Sequence, residues 1–110
     1  MRTRVGLRAR TDFDVVAKEG GILAHCRAVD LSVSGILIDR GRLVRSSDER
    51  LVVDLALRLP ERTDVLFTRG RLVWSRGTQQ AFRFVAMTDA DRLTIAEHVD
   101  LQRHRGSIAA

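Results

Sequence analysis

The chain has 110 residues, 45 % of them hydrophobic, and a formal net charge of +5. This suits one domain with a core of its own and excludes wholesale disorder. It also excludes an internal disulfide, because Cys26 is the only cysteine, and a spanning helix, because no apolar run approaches the roughly 20 residues a bilayer needs.

Met1 to Arg10 carries arginines at positions 2, 4, 8 and 10 and has no apolar centre, so it reads as an exposed arm rather than a signal peptide. With a single cysteine, the expected location is the reducing cytoplasm. Of the 19 basic residues every one but Lys18 is arginine. A compositional bias toward arginine accounts for the overall excess, but the local cluster in the arm stands apart from it. Guanidinium pairs bidentately with phosphate and stacks on flat rings, so such a cluster suits an anionic ligand.

Strand signals begin at Asp12, where Phe13, Val15 and Ala17 alternate with polar or outward positions. Lys18-Glu19-Gly20-Gly21 reads as a turn, since two glycines permit positive φ. Ile22, Ala24, Cys26 and Ala28 continue the alternation, and its phase shifts near Val29-Asp30-Leu31, which predicts a bulge or strand end. Ile36 to Ile38 forms a short buried strand, followed by a polar loop over 39–50. Leu51, Val53, Leu55, Leu57 and Leu59 then share one face until Pro60 stops the strand. A long strand is expected over 65–74, kinked at Gly70. A hairpin loop centred on Gly77 leads to a last strand with Phe82, Phe84 and Ala86 in phase. Thr88 is a fitting helix cap with Asp91 as its partner, and Leu93, Ile95, Ala96 and Val99 supply an apolar stripe. Arg103 and Arg105 are placed to complement a helix C-terminus.

The expected fold is mainly β: a six-stranded antiparallel barrel with a C-terminal α-helix and a flexible N-terminal arm. One domain is expected over 1–110, with the arm at 1–11, the barrel at 12–87 and the helix at 88–105.

Two short segments carry the chemistry. Arg4-Val-Gly-Leu-Arg8 places two guanidiniums four residues apart, an RxxxR pattern. Asp30-Leu-Ser-Val-Ser-Gly35 places an acid, a hydroxyl and a glycine at a strand end, a DxSxxG pattern. By themselves, Asp30 and Ser32 suit any turn and Gly35 any bulge. In this order, followed by Gly35-Ile-Leu-Ile38 and by Gly70-Arg-Leu-Val-Trp74 and Phe82-Arg-Phe84, they resemble the PilZ domain family over nearly the whole chain. The resemblance implies a receptor for cyclic di-GMP rather than an enzyme. It assigns Arg4 and Arg8 to phosphate and the guanine acceptor edge, Asp30 and Ser32 to a base approached from the barrel, and Gly35 to close backbone approach. Arg2, Arg10 and Ser34 are secondary candidates. An arginine directly before the RxxxR favours a stacked ligand pair in the family. Here Thr3 stands there and Arg2 one further back, which leaves one or two ligands open.

The implied partners are cyclic di-GMP and a protein effector not yet identified, with motility, exopolysaccharide or biofilm control as output. A monomer or weak dimer is expected, with no cofactor. Two other readings stand beside this one: a PilZ-fold interaction module that binds no nucleotide, and a small basic barrel that binds single-stranded nucleic acid. The second is disfavoured because no tyrosine is present and the phenylalanines mostly fall in core phase. No nucleophile–base arrangement and no phosphate-cradling glycine loop is present, so no catalytic residue is expected. His25 and Cys26 are adjacent on a strand and face opposite ways, which argues against a metal. His98 and His104 read as surface residues, Trp74 as a barrel-core residue, and Cys26 as a small buried one.

Overall fold

The computed structural model describes residues 7–44 and 51–109, with side chains described through residue 105. Arg2 and Arg4, Thr3 and the second half of the expected 39–50 loop lie outside the described residues.

Seven strands and one helix follow in chain order: β1 (Arg8–Arg10), β2 (Asp14–Glu19), β3 (Ile22–Ser32), β4 (Gly35–Asp39), β5 (Val52–Leu57), β6 (Leu66–Arg76), β7 (Gln79–Val85) and α1 (Asp89–Ala109). The strands run in the order β1-β3-β2-β5-β6-β7-β4, and β4 pairs back onto β3. Six antiparallel strands therefore close a barrel, which removes the open edges a sheet would expose, and β1 lies outside as a seventh strand on β3.

Alternation decides what fills the barrel. Val15, Ala17, Cys26, Ala28, Ile36, Ile38, Val53, Leu55, Leu57, Leu72 and Phe82 all point inward and are buried. Glycine sets two of the turns. Gly20 and Gly21, at φ 55° and 87°, join β2 to β3 in a two-residue turn with both centres left-handed, and Gly77, at φ 61°, opens the two-residue turn from β6 to β7. Positive φ there matches the turn to the right-handed twist of the strands.

The structure corrects five expectations. The arm ends earlier than residue 11: Arg8, Ala9 and Arg10 pair with Ser32, Leu31 and Asp30, and Ala9 is buried. Three residues are too few to show a period. The long strand bulges between Leu72 and Trp74 rather than kinking at Gly70. Gly70 serves close packing instead, since a Cβ there would lie 2.8 Å from Phe82 Cβ and 2.9 Å from Leu55 Cδ1.

The third correction follows from that bulge. One extra residue reverses the phase, so Leu72 stays inside while Trp74 turns outward at 38 % exposure. Fourth, His98 is fully buried and Leu93 is exposed, so the inner stripe of α1 is Ile95, His98 and Val99. Fifth, α1 continues past 105 to Ala109, which leaves Arg103 and Arg105 short of the last turn. Its N-terminus is capped as expected, the Asp91 N–H donating to Thr88 Oγ1 at 3.1 Å. Phe67, unlike the buried Phe13 and Phe82, faces solvent on the outer wall.

Cys26 is buried between β2 and β4, and burial pushes its thiol up from the ordinary value, against the pull of nearby Arg40. The thiolate is the reactive form. Iodoacetamide at pH 8 should therefore alkylate the native protein far more slowly than the urea-unfolded chain; equal rates would show that the barrel wall opens at Cys26.

Candidate ligand-binding site

The site is built where β3 turns into β4. The two strands are joined by Val33 and Ser34 alone, and Ser32 holds that tight connection. Its Oγ accepts the N–H groups of Ser34 and Gly35, each at 3.2 Å, and shares a hydrogen bond with Ser34 Oγ at 3.0 Å. Ser32 is buried, so its hydroxyl chiefly shapes the loop, while Ser34 is the exposed hydroxyl of the pair. Asx- and ST-type bonding of this kind is what places serine at strand ends.

Gly35 begins β4 opposite Arg83 of β7. A Cβ at Gly35 would stand 2.4 Å from the Phe82 carbonyl oxygen. Only glycine lets the two backbones approach this closely, and the Phe84 N–H, donating to Ser34 O at 2.9 Å, closes the loop against β7.

Asp30 reaches the site because of the bulge between Ala28 and Asp30, which also ends the regular alternation of β3. On the paired β1, Arg8 stands opposite Ser32 and Arg10 opposite Asp30, so these four residues share one face. The Arg8 guanidinium lies 3.4 Å from Asp30 Oδ2, with Arg8 exposed and Asp30 mostly covered. An exposed pair at that distance contributes little to stability and leaves both groups able to take new partners.

These residues converge on one cavity of about 200 Å³. Arg8, Asp30, Ser32, Ser34 and Gly35 line it, together with Trp74, Arg83 and apolar residues of β4, β6 and β7. Arg10 is exposed on the same face but does not line it. Arg4 and Arg2 lie outside the described residues.

Two of the lining residues are not among the sequence candidates: Arg83, which the sequence does not single out, and Trp74, for which a core role is preferred to base stacking. Trp74 enters through the bulge, and the Arg76 guanidinium sits 5.3 Å from its ring centroid. Arg83 has no carboxylate within ion-pair distance among the described residues, and it stands opposite another arginine, Arg71. Like charges facing across a ladder are unfavourable, so an anion at this end of the barrel would relieve them. The doublet Phe82-Arg83 in a strand was the available signal, but the pairing that brings it to Gly35 is a long-range fact.

The arrangement offers guanidiniums for phosphate or an acceptor edge, a carboxylate for N–H groups, and an indole face for a flat ring. Among the described residues no cluster of three or more His, Cys, Asp or Glu could hold a metal. His25 is exposed and Cys26 buried, on opposite faces of β3. No described helix is long and apolar enough to cross a membrane.

Comparison with known proteins gives a consistent fold. The chain superposes on the PilZ domain of Escherichia coli YcgR with c-di-GMP at a TM-score of 0.76 and 12 % identity, covering 96 % of this chain and 95 % of that one. Against the Bacillus subtilis inhibitor of motility, MotI/DgrA, the TM-score is 0.75 at 16 % identity and covers 96 % of this chain. The chain spans about half, 52 %, of that protein's length. PlzA of Borreliella burgdorferi, solved in complex with c-di-GMP, matches at 0.64 and 14 % identity, over 88 % of this chain and 41 % of PlzA. No curated protein sequence matches. The sequence profile of the PilZ domain covers residues 2–101, and with nearly the whole length matched the chain belongs to the PilZ domain family.

Proposed function

We propose that this chain binds cyclic di-GMP in the cavity beside the β3–β4 turn and passes the signal to a protein partner. The observation that carries the reading is the convergence of Arg8, Asp30, Gly35, Trp74 and Arg83, from five strands, on one cavity. Guanine presents N7 and O6 as acceptors, which match an arginine fork, and its N1 and N2 hydrogens need an acceptor such as Asp30. The phosphates suit Arg8, Arg83 and, four residues upstream, Arg4. Trp74 offers a stacking face. In this reading the chain is a receptor rather than an enzyme, and the dinucleotide is its ligand. YcgR and PlzA, both solved with c-di-GMP, support the choice of dinucleotide.

The relay is an ordering step. The segment before Arg8 brings Arg4 toward the ligand, and the surface it then forms differs from that of the free protein; its entropy cost is offset by charge-assisted bonds. Motility, exopolysaccharide or biofilm control is the proposed output, in line with the motility inhibitor it resembles.

The test is a calorimetric titration of cyclic di-GMP into the native chain, followed in parallel by tryptophan fluorescence. Because Trp74 is the only tryptophan, saturable heat with matching quenching reports occupancy of this cavity, and the heat gives one or two ligands per chain. No heat from a folded protein overturns the reading. Binding of a single-stranded oligonucleotide with none of the dinucleotide would replace it with the basic-barrel alternative.

A further inference from the structure

The strand that presents Arg8 has little to hold it. β1 is 3 residues long and, among the described residues, pairs only with β3. Three paired positions and the buried Ala9 side chain are its anchor on the outside of the barrel. Its other support is α1, which packs chiefly on β1 and β3.

Two side chains of α1 make the attachment. The Arg103 guanidinium donates to the main-chain carbonyl of Arg8 at 3.2 Å. One and a half turns earlier, the buried imidazole of His98 has its Nε2 2.7 Å from Thr11 Oγ1, the residue that directly follows β1. The other ring nitrogen, Nδ1, faces the Glu61 carboxylate from the β5–β6 connection. A carboxylate only accepts, so Nδ1 carries a proton, and in the neutral ring Nε2 accepts from the Thr11 hydroxyl. The ring also stands edge-on to Phe13, 5.4 Å between centroids at 87°. Thr11 in turn donates its N–H to Val29 O at 3.0 Å, continuing the β1–β3 ladder. One imidazole thus ties together the end of β1, the loop after β5 and the helix.

We infer that α1 braces the ligand-binding arginine: His98 and Arg103 are positioning residues that hold β1 on β3, and occupancy of the cavity is coupled to docking of the helix. The inference rests on the proposed reading of the cavity as the cyclic di-GMP site. Its physical basis is local. Arg8 meets the helix through its main chain and the cavity through its side chain, so no long chain of contacts is needed to link them. By linkage, a ligand that fixes Arg8 strengthens helix docking, and loss of docking weakens the ligand by the same factor.

The test uses Thr11→Val, Arg103→Met and the double variant. Each removes one tether with little change of volume and leaves Arg8, Asp30, Ser32 and Gly35 in place. In the ligand-free protein, the protection factor of the residue-11 amide, each variant referred to its own intrinsic rate, should fall about fivefold in each single variant. Unchanged protection overturns the brace, whatever the ligand does. In the second arm, cyclic di-GMP should bind the double variant about tenfold more weakly than the native chain. Saturation should also slow exchange of the Ile95 to Arg103 amides in the native protein and not in the double variant. Equal affinity, or helix protection that ignores the ligand, overturns the coupling. Native protein that takes up no dinucleotide is a failure of the cavity reading, and the ligand-free exchange tells it apart from a failure of the brace.

Discussion

Gly35→Ala should destabilise the protein by about 3 kcal/mol and abolish binding in the cavity. The upper range of overpacking costs applies, because the new methyl would stand 2.4 Å from the Phe82 carbonyl oxygen, an atom of the β7 backbone. No rotamer change can clear it. β4 and β7 would have to separate at the first of their paired positions, Gly35 with Arg83. That displaces Arg83, breaks the Phe84-to-Ser34 hydrogen bond and distorts the two N–H bonds that Ser32 accepts. Gly77 supplies the control. A Cβ there meets nothing within 4 Å, and the cost comes only from its φ of +61°, about 1 kcal/mol for a residue forced left-handed. Urea unfolding of both variants measures the difference. If Gly35→Ala proves no worse than Gly77→Ala, steric approach of β4 to β7 is not what the glycine provides.

The contrast between these glycines shows how far a sequence can be read. Gly20-Gly21 and Gly77 sit between alternating runs, and local chain geometry is enough to make them turns. The bulge at Val29 was visible for the same reason, as a break in a long, regular period. Gly70 looked like a similar punctuation mark, yet its role is set by Phe82 and Leu55 from other strands, which nothing nearby in the chain reveals. Trp74 was misread because the bulge before it depends on how β6 and β7 pair. His98 was misread because a histidine on a polar helix is ordinarily exposed. Its burial depends on Thr11 and Glu61, 87 and 37 residues away, satisfying both ring nitrogens.

The candidate site divides in the same way. Asp30, Ser32 and Gly35 lie within one local motif, so their proximity follows from sequence spacing. Arg8 joins them only because three residues add an outer strand, and Arg83 and Trp74 only because the barrel closes through β7 and β4. A closed barrel brings chain-distant residues to one place without any local trace of it, so the wall of the cavity that the motif does not contain had to come from the structure.

Arg8→Ala should separate binding from folding. Stability should change by no more than about 0.5 kcal/mol, the usual scale for an exposed substitution. The Arg8 side chain is 68 % exposed and its contact with Asp30, at 3.4 Å, is long; exposed pairs of this kind contribute about 0–1 kcal/mol at most. The main-chain bond from Arg103 to the Arg8 carbonyl survives the change, and buried Ala9 still anchors the strand. Affinity for cyclic di-GMP should nevertheless fall at least tenfold, since one charge-assisted bond is worth about 1.5–3 kcal/mol and about 1.4 kcal/mol is a factor of ten. Titration calorimetry of the variant against the native chain reads this directly, and undiminished affinity would remove Arg8 from the site. Arg8→Lys then decides what the arginine does. Lysine keeps the charge and loses the planar fork. If it restores most of the affinity, Arg8 acts as a positive charge on a phosphate. If it binds as poorly as alanine, the guanidinium is reading the paired acceptors of a guanine edge, and the specificity for that base lies on β1.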